Sequence, residues 1–268
     1  MFTGDYSFFD YKYNISGYTG QDFGGVAQHL YLGLSALFLV ILLPVLRNAS
    51  REKVLRIVRF TGVFLTLFYL GKTVWETVYD IRFSGGFNTG LLPLDTCSIV
   101  MPAALLAGFG RGRVRQTAIC WLSTGGIVGG IGAMVRLNAF NYYPFLSFGA
   151  FYSMLWHLLM VFLGLLLAVT DNCETAGRTL RQGYAFHLFF SLLVIPVDFL
   201  FDFDFMLYRD LGGIPFFEGV AGHLTASGLR FLNPLLMLIL YAFGFLLAVF
   251  IGQGVKRLFP RRKAGAEP

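Results

Sequence analysis

Seven stretches of about 20 mostly apolar residues run through this chain, and a lipid bilayer is the solvent such stretches suit. They cover 26–46, 60–79, 91–110, 116–135, 148–169, 184–201 and 232–251. In hydrocarbon each backbone N–H and C=O must find its partner within the segment, so each stretch is expected to be helical. The predicted fold class is therefore all-α: a polytopic membrane bundle of seven transmembrane helices. Only 13% of residues are charged, against about a quarter in soluble domains. Aromatic residues reach 17%, with 30 Phe. One membrane domain takes up the length, leaving no room for a separate soluble one.

Basic residues set the direction. Most of the 21 Lys and Arg sit in loops on one side: Arg47, Arg51, Lys53, Arg56 and Arg59, then Arg111, Arg113 and Arg115, then Arg178 and Arg181, then Lys256, Arg257, Arg261, Arg262 and Lys263. The other side holds Lys12, Arg82, Arg136, Arg209 and Arg230. Positively charged loops face the cytoplasm, which predicts the N-terminus outside and the C-terminus inside. A net charge of +6 spread in this way speaks for topology and against nucleic-acid binding.

Three regions follow. Residues 1–25 mix Tyr6, Phe8, Phe9, Tyr11, Tyr13, Tyr18 and Phe23 with polar residues, as suits an outer interfacial segment. Residues 26–251 form the seven-helix domain, and 252–268 a basic cytoplasmic tail. Asp5, Asp10 and Asp22, with no apolar run between them, argue against a cleavable signal peptide. The outer loop at 202–231 is acidic and aromatic, with Asp202, Asp204, Asp210 and Glu218 among Phe203, Phe205, Tyr208, Phe216 and Phe217. It reads equally as a lid and as a connector lying on the bilayer.

Gly125, Gly126, Gly129, Gly130 and Gly132 fall inside the fourth stretch. With no strand before them they do not form a nucleotide loop, and their four-residue spacings predict close helix packing. Cys97, Cys120 and Cys173 are odd in number and irregular in spacing, so neither a disulfide framework nor a metal site is indicated.

Ionisable groups within membrane helices are costly and often functional. Lys72 and Glu76 lie one turn apart and can neutralise each other. His29 reads as interfacial and His187 as a helix-packing residue. Asp198 follows Pro196, which frees a backbone carbonyl. Lys72, Asp198 and Asp204 are candidates to contact a lipid headgroup. Pro93 and Asp95 suit the first turn of the third helix. Cys97 is then about 9 Å below the start of its span, and His157 about 14 Å below the start of its own, at ~1.5 Å per residue. Both spans run in the same direction, and helix tilt can absorb the difference. A thiol beside an imidazole makes a sulfur nucleophile, although buried cysteine and histidine are more commonly packing residues.

Leu92-Pro93-Leu94 with Cys97-Ser98-Ile99, a glycine-rich next span, a membrane histidine about sixty residues on, and Phe203-Asp204-Phe205-Met206-Leu207 together resemble the YwaF-type bacterial integral membrane proteins, a family related to animal transmembrane protein 164. The resemblance spans residues 60–250 and rests on motif order and spacing. It implies a seven-helix bundle, a bacterial cytoplasmic membrane, and a phospholipid acyltransferase with a Cys–His pair, similar in architecture to androgen-induced hydrolases, which use Thr and His. Cys97 then matches the nucleophile and His157 the general acid/base. Asp198 stands where the family pattern has Asn, and Asp204-Phe205 where it has Asn-Tyr.

The expected activity is acyl transfer between glycerophospholipids and lysophospholipids through a thioester on Cys97. Thr96 or Ser98 is expected to stabilise the oxyanion, and Asp95 or Glu76 to orient the reacting groups. No metal or soluble cofactor is required. Water as acceptor makes the same site a lipase. A different class, a transporter or sensor, would instead use Lys72, Glu76 and Asp198 as a polar path. Oligomeric state is not legible.

Overall fold

A computed structural model describes residues 6–11, 25–86, 89–135, 143–144, 146–209 and 215–260, with the side chains of 84 and 215–218 excepted. Lys12, Tyr13, Tyr18, Phe23, Arg136, Asp210, the side chains of Phe216, Phe217 and Glu218, and the basic run Arg261–Lys263 lie outside the described residues, as do Asp5 and Asp22.

The described chain is helical and has no strand. The helices are α1 (Val26–Leu46), α2 (Arg51–Ser84), α3 (Val100–Phe109), α4 (Gly112–Trp121), α5 (Ile127–Val135), α6 (Phe148–Val169), α7 (Ala176–Phe201), α8 (Pro215–Ala226) and α9 (Asn233–Leu258). They make seven segments long and apolar enough to cross a membrane, the fourth formed by α4 and α5 together.

Several helices outrun their apolar stretches. The second starts at Arg51, where the Ser50 hydroxyl accepts a hydrogen bond from the Lys53 amide at 3.3 Å. It stops at Gly85, which takes the left-handed conformation (φ 71°) that a residue without Cβ adopts freely. The third is shorter than its hydropathy suggests. Thr96–Ile99 forms a tight 3₁₀ turn, and regular helix begins only at Val100.

Layering explains why the fourth stretch is poor in hydropathy yet firmly helical. Its apolar window is 67% buried within the protein, and that of α6 is 61%, against 17% for α1. Lipid touches α1, and protein touches α4, α5 and α6, so small and hydroxylated residues are tolerated at the centre. There, Leu122–Gly126 widens into a π turn that packs against α6, α7 and α9. The predicted close glycine packing is found at Gly125 and Gly130, whereas Gly132 faces open space. A Cβ on Gly130 would lie 2.6 Å from the Val161 side chain and 3.1 Å from the His157 carbonyl oxygen.

The bundle has two distinct ends. The Arg-rich end carries the connections after α1, between α3 and α4, and between α6 and α7, with the last turn of α9. There Arg59 donates to the last carbonyls of α3, reaching Gly108 O at 3.1 and 3.3 Å. The opposite end carries the start of α6, the Thr96–Ile99 turn and the segment Tyr6–Tyr11.

Candidate functional site

A cavity of about 220 Å³ opens at the end opposite the Arg-rich loops. One wall is Tyr69, Lys72 and Glu76 of α2, which share a face by their three- and four-residue spacing. A second is Asp95, Cys97 and Ser98 at the tight turn, and a third is Tyr152, Ser153, Trp156 and His157 of α6. Cys97 and His157, from remote parts of the chain, therefore line one cavity, and both are partly accessible there.

The Cys97 turn is held from outside the cavity. Asp95 occupies the position before the turn, but its carboxylate does not cap it. It interacts instead with the backbone of Met206. The Thr96 hydroxyl bonds the Tyr241 hydroxyl, and Tyr241 donates to Met206 O at 3.3 Å. Met206 (φ 55°) and Leu207 (φ 61°) hold left-handed conformations that side chains disfavour. Strain of this kind persists only when the surroundings impose it. Asp198 imposes part of it, its Oδ1 accepting from the Phe205 amide at 2.9 Å. Asp204 accepts from the Arg209 amide at 2.7 Å, and Arg209 pairs with Asp202. The structure does not bring Asp198 and Asp204 to the cavity, as a headgroup contact would require. Together with Thr96 they belong to a brace behind the Cys97 turn.

The His157 helix is fixed at its start by the Ser147 hydroxyl, which accepts from the Ala150 amide at 3.4 Å. His157 Nδ1 lies 2.7 Å from the Ser153 carbonyl. A carbonyl only accepts, so Nδ1 carries the proton and Nε2 is left unprotonated, able to accept. Trp156 donates from its indole to Cys97 O at 3.3 Å, tying the two walls together at the residue beside His157. Lys72 and Glu76 form the expected ion pair, and the Lys72 ammonium also sits 5.6 Å from the centre of the Tyr152 ring.

The segment Tyr6–Tyr11 straps this end of the bundle. Phe8 O accepts from the Phe148 amide at 2.7 Å, Phe9 O from the Trp75 indole at 3.0 Å, and Asp80 from the Tyr11 hydroxyl at 2.9 Å. The Tyr11 ring lies 6.2 Å from that of Tyr143, a residue of the cavity wall.

Among the remaining sequence candidates, His29 bonds Gly25 O at 3.0 Å on the surface. His187 is fully buried against Tyr241 and lies 3.4 Å from the Tyr208 hydroxyl. Tyr69, Tyr152 and Trp156 line the cavity without having been singled out. Their signal was a shared helix face, four residues apart along α6 in the case of Tyr152 and Trp156. Among the described residues no three His, Cys, Asp or Glu are grouped to hold a metal ion.

No curated protein and no solved structure matches the chain. The profile of the TMEM164 family matches residues 23–252, a stretch that takes in six spans, most of the seventh, and both walls bearing Cys97 and His157. By that match, across most of its length, the chain belongs to the TMEM164 family.

Proposed function

We propose that this protein is a membrane acyltransferase that moves acyl chains between glycerophospholipids and lysophospholipids, with Cys97 as nucleophile and His157 as general acid/base. The observation that carries this reading is the shared cavity, in which a thiol and an imidazole with an unprotonated Nε2 stand on walls joined by the Trp156–Cys97 hydrogen bond.

His157 Nε2 takes the thiol proton as the sulfur adds to an ester carbonyl. Collapse of the adduct breaks the acyl–oxygen bond, and the departing lysophospholipid oxygen takes the proton from the imidazolium. The acyl chain is left as a thioester on Cys97. A second lysophospholipid hydroxyl then gives its proton to His157 and attacks the thioester, and the released sulfur regains that proton. On this reading the Ser98 hydroxyl and the Cys97 amide are the donors that stabilise the oxyanion. Thr96, engaged by Tyr241, is not. Lys72 is the cation positioned for a lipid phosphate. On this reading the Arg-rich end faces the cytoplasm of a bacterial cell, and the cavity lies at the outer leaflet.

The test is direct. Purified protein given a diacyl phospholipid is expected to gain an acyl adduct on Cys97, seen by intact mass and removed by hydroxylamine. Adding lysophospholipid discharges it to a new diacyl lipid. Full activity in a Cys97→Ala variant overturns the mechanism, and discharge mainly to free fatty acid makes the enzyme a lipase. A transport path through Lys72, Glu76 and Asp198 has less support, because Asp198 is not on the wall of the cavity that Lys72 and Glu76 line.

A further inference from the structure

A second cavity, of about 240 Å³, lies at the Arg-rich end between the close of α6, the start of α7 and the last turns of α9. Cys173, Ser123, Thr179 and Lys256 are on its wall. The Ser123 hydroxyl lies 2.9 Å from the Cys173 sulfur. Cys120 precedes Ser123 by three positions, so the two side chains rise from neighbouring points on one helix. The Cys120 sulfur donates to the Gln182 side-chain oxygen at 3.5 Å, and the Thr179 hydroxyl donates to the carbonyl of Glu174, the residue next to Cys173, at 3.1 Å. Cys120 and Cys173 lie within electrostatic range of each other. Helix α7 comes this close because residue 183 is glycine; a Cβ there would fall 2.9 Å from the Cys120 carbonyl oxygen. Two thiols from distant parts of the chain thus converge, Cys173 partly exposed to the cavity and Cys120 closed off behind it.

We propose that Cys120 and Cys173 are a redox-active thiol pair that closes to a disulfide when hydrogen peroxide enters this cavity. The Cys173 sulfur attacks the peroxide, breaking its O–O bond to give a sulfenic acid and one water. The Cys120 sulfur then displaces that hydroxyl as a second water, forming the S–S bond. Two electrons and two protons pass from the thiols to the peroxide. Lys256, which pairs with Asp171 beside the cavity, is the cation that favours the Cys173 thiolate. Cys173 lies in the connection at 170–175, outside regular helix, and its sulfur exchanges the Ser123 hydroxyl for Cys120 when the bond forms. The charge asymmetry assigns this end to the cytoplasm, where the resting pair is reduced. The bond would staple the α6–α7 connection to α4 at the foot of the π turn. This inference stands apart from the acyl-transfer reading and does not involve Cys97.

The experiment uses the full chain, purified reduced in detergent micelles and treated with hydrogen peroxide. Of its three thiols, one is expected to remain alkylatable by iodoacetamide after denaturation, with two hydrogens lost by intact mass and a linked peptide joining Cys120 to Cys173. Cys97→Ser is expected to form the same bond, while Cys120→Ser and Cys173→Ser each stop it. Phenylarsine oxide, which bridges adjacent thiols, is expected to protect the same two residues in the reduced wild type. Three thiols surviving peroxide, a bond that uses Cys97 or a second molecule, or Cys173 oxidised to sulfinic acid with Cys120 still alkylatable would each overturn the proposal.

Discussion

The two ends of this bundle offer the same reagent in different company. Each has a cavity of similar size, about 220 and 240 Å³, with a cysteine and a neighbouring serine on its wall. At one end the cavity also holds an imidazole whose Nε2 is a proton acceptor. At the other the cysteine is matched by another cysteine, with an ammonium–carboxylate pair alongside. A base beside sulfur suits attack on an ester carbonyl, whereas sulfur beside sulfur suits two-electron oxidation. The difference teaches that a cysteine's chemistry follows from its neighbours, even where both cavities are built by the same helix α6.

The sharpest way to break this contrast is to remove each thiol in turn. Cys97→Ala is expected to lower acyl transfer by about 10,000-fold, while Cys173→Ser leaves it within about twofold, both measured with a labelled diacyl donor and a lysophospholipid acceptor. Equal losses would erase the distinction. His157→Gln is expected to cost about 1,000-fold in the same assay, the range of a lost general base. At the Arg-rich end, burial pushes the Cys173 thiol up to about 11. Below that value the thiolate fraction rises about tenfold per pH unit, so peroxide oxidation should be ~100-fold faster at pH 9 than at pH 7. A flat profile, read by thiol counting over time, would remove Cys173 as the first sulfur to react. The smallest effects are on stability. Gly130→Ala forces a methyl against the His157 carbonyl and should cost about 1–3 kcal/mol by denaturant titration in micelles. Asp198→Ala orphans the Phe205 amide and should cost a similar ~1–3 kcal/mol.

The spans were legible because periodicity hardly matters when lipid surrounds a helix: length and apolar content suffice, and 26–46 and 148–169 agree with α1 and α6 to the residue. The marginal fourth span was harder, since its Gly, Ser and Thr answer to protein neighbours that sequence does not display. Cys97 and His157 stood out as reactive types at compatible depths, and the structure puts them on two walls of one cavity. Asp198 and Asp204 misled because an acid within a membrane helix or just beyond its end reads as a ligand contact. Their carboxylates accept backbone amides of a strained turn, and nothing local announces that turn. Cys120 and Cys173 went unpaired because their separation along the chain carries no signal, and only the approach of α7 at Gly183 brings them together.

The π turn at Leu122–Gly126 amounts to one surplus residue in the fourth span. Deleting a residue within it would let the hydrogen-bond ladder close as ordinary α-helix, with Cys120 and Gly130 still facing their present neighbours. Deleting one a turn to either side would leave the surplus in place and swing the remainder by about 100°. Tolerance to shortening should therefore be confined to this one stretch of the span, which marks where the helix stores its slack.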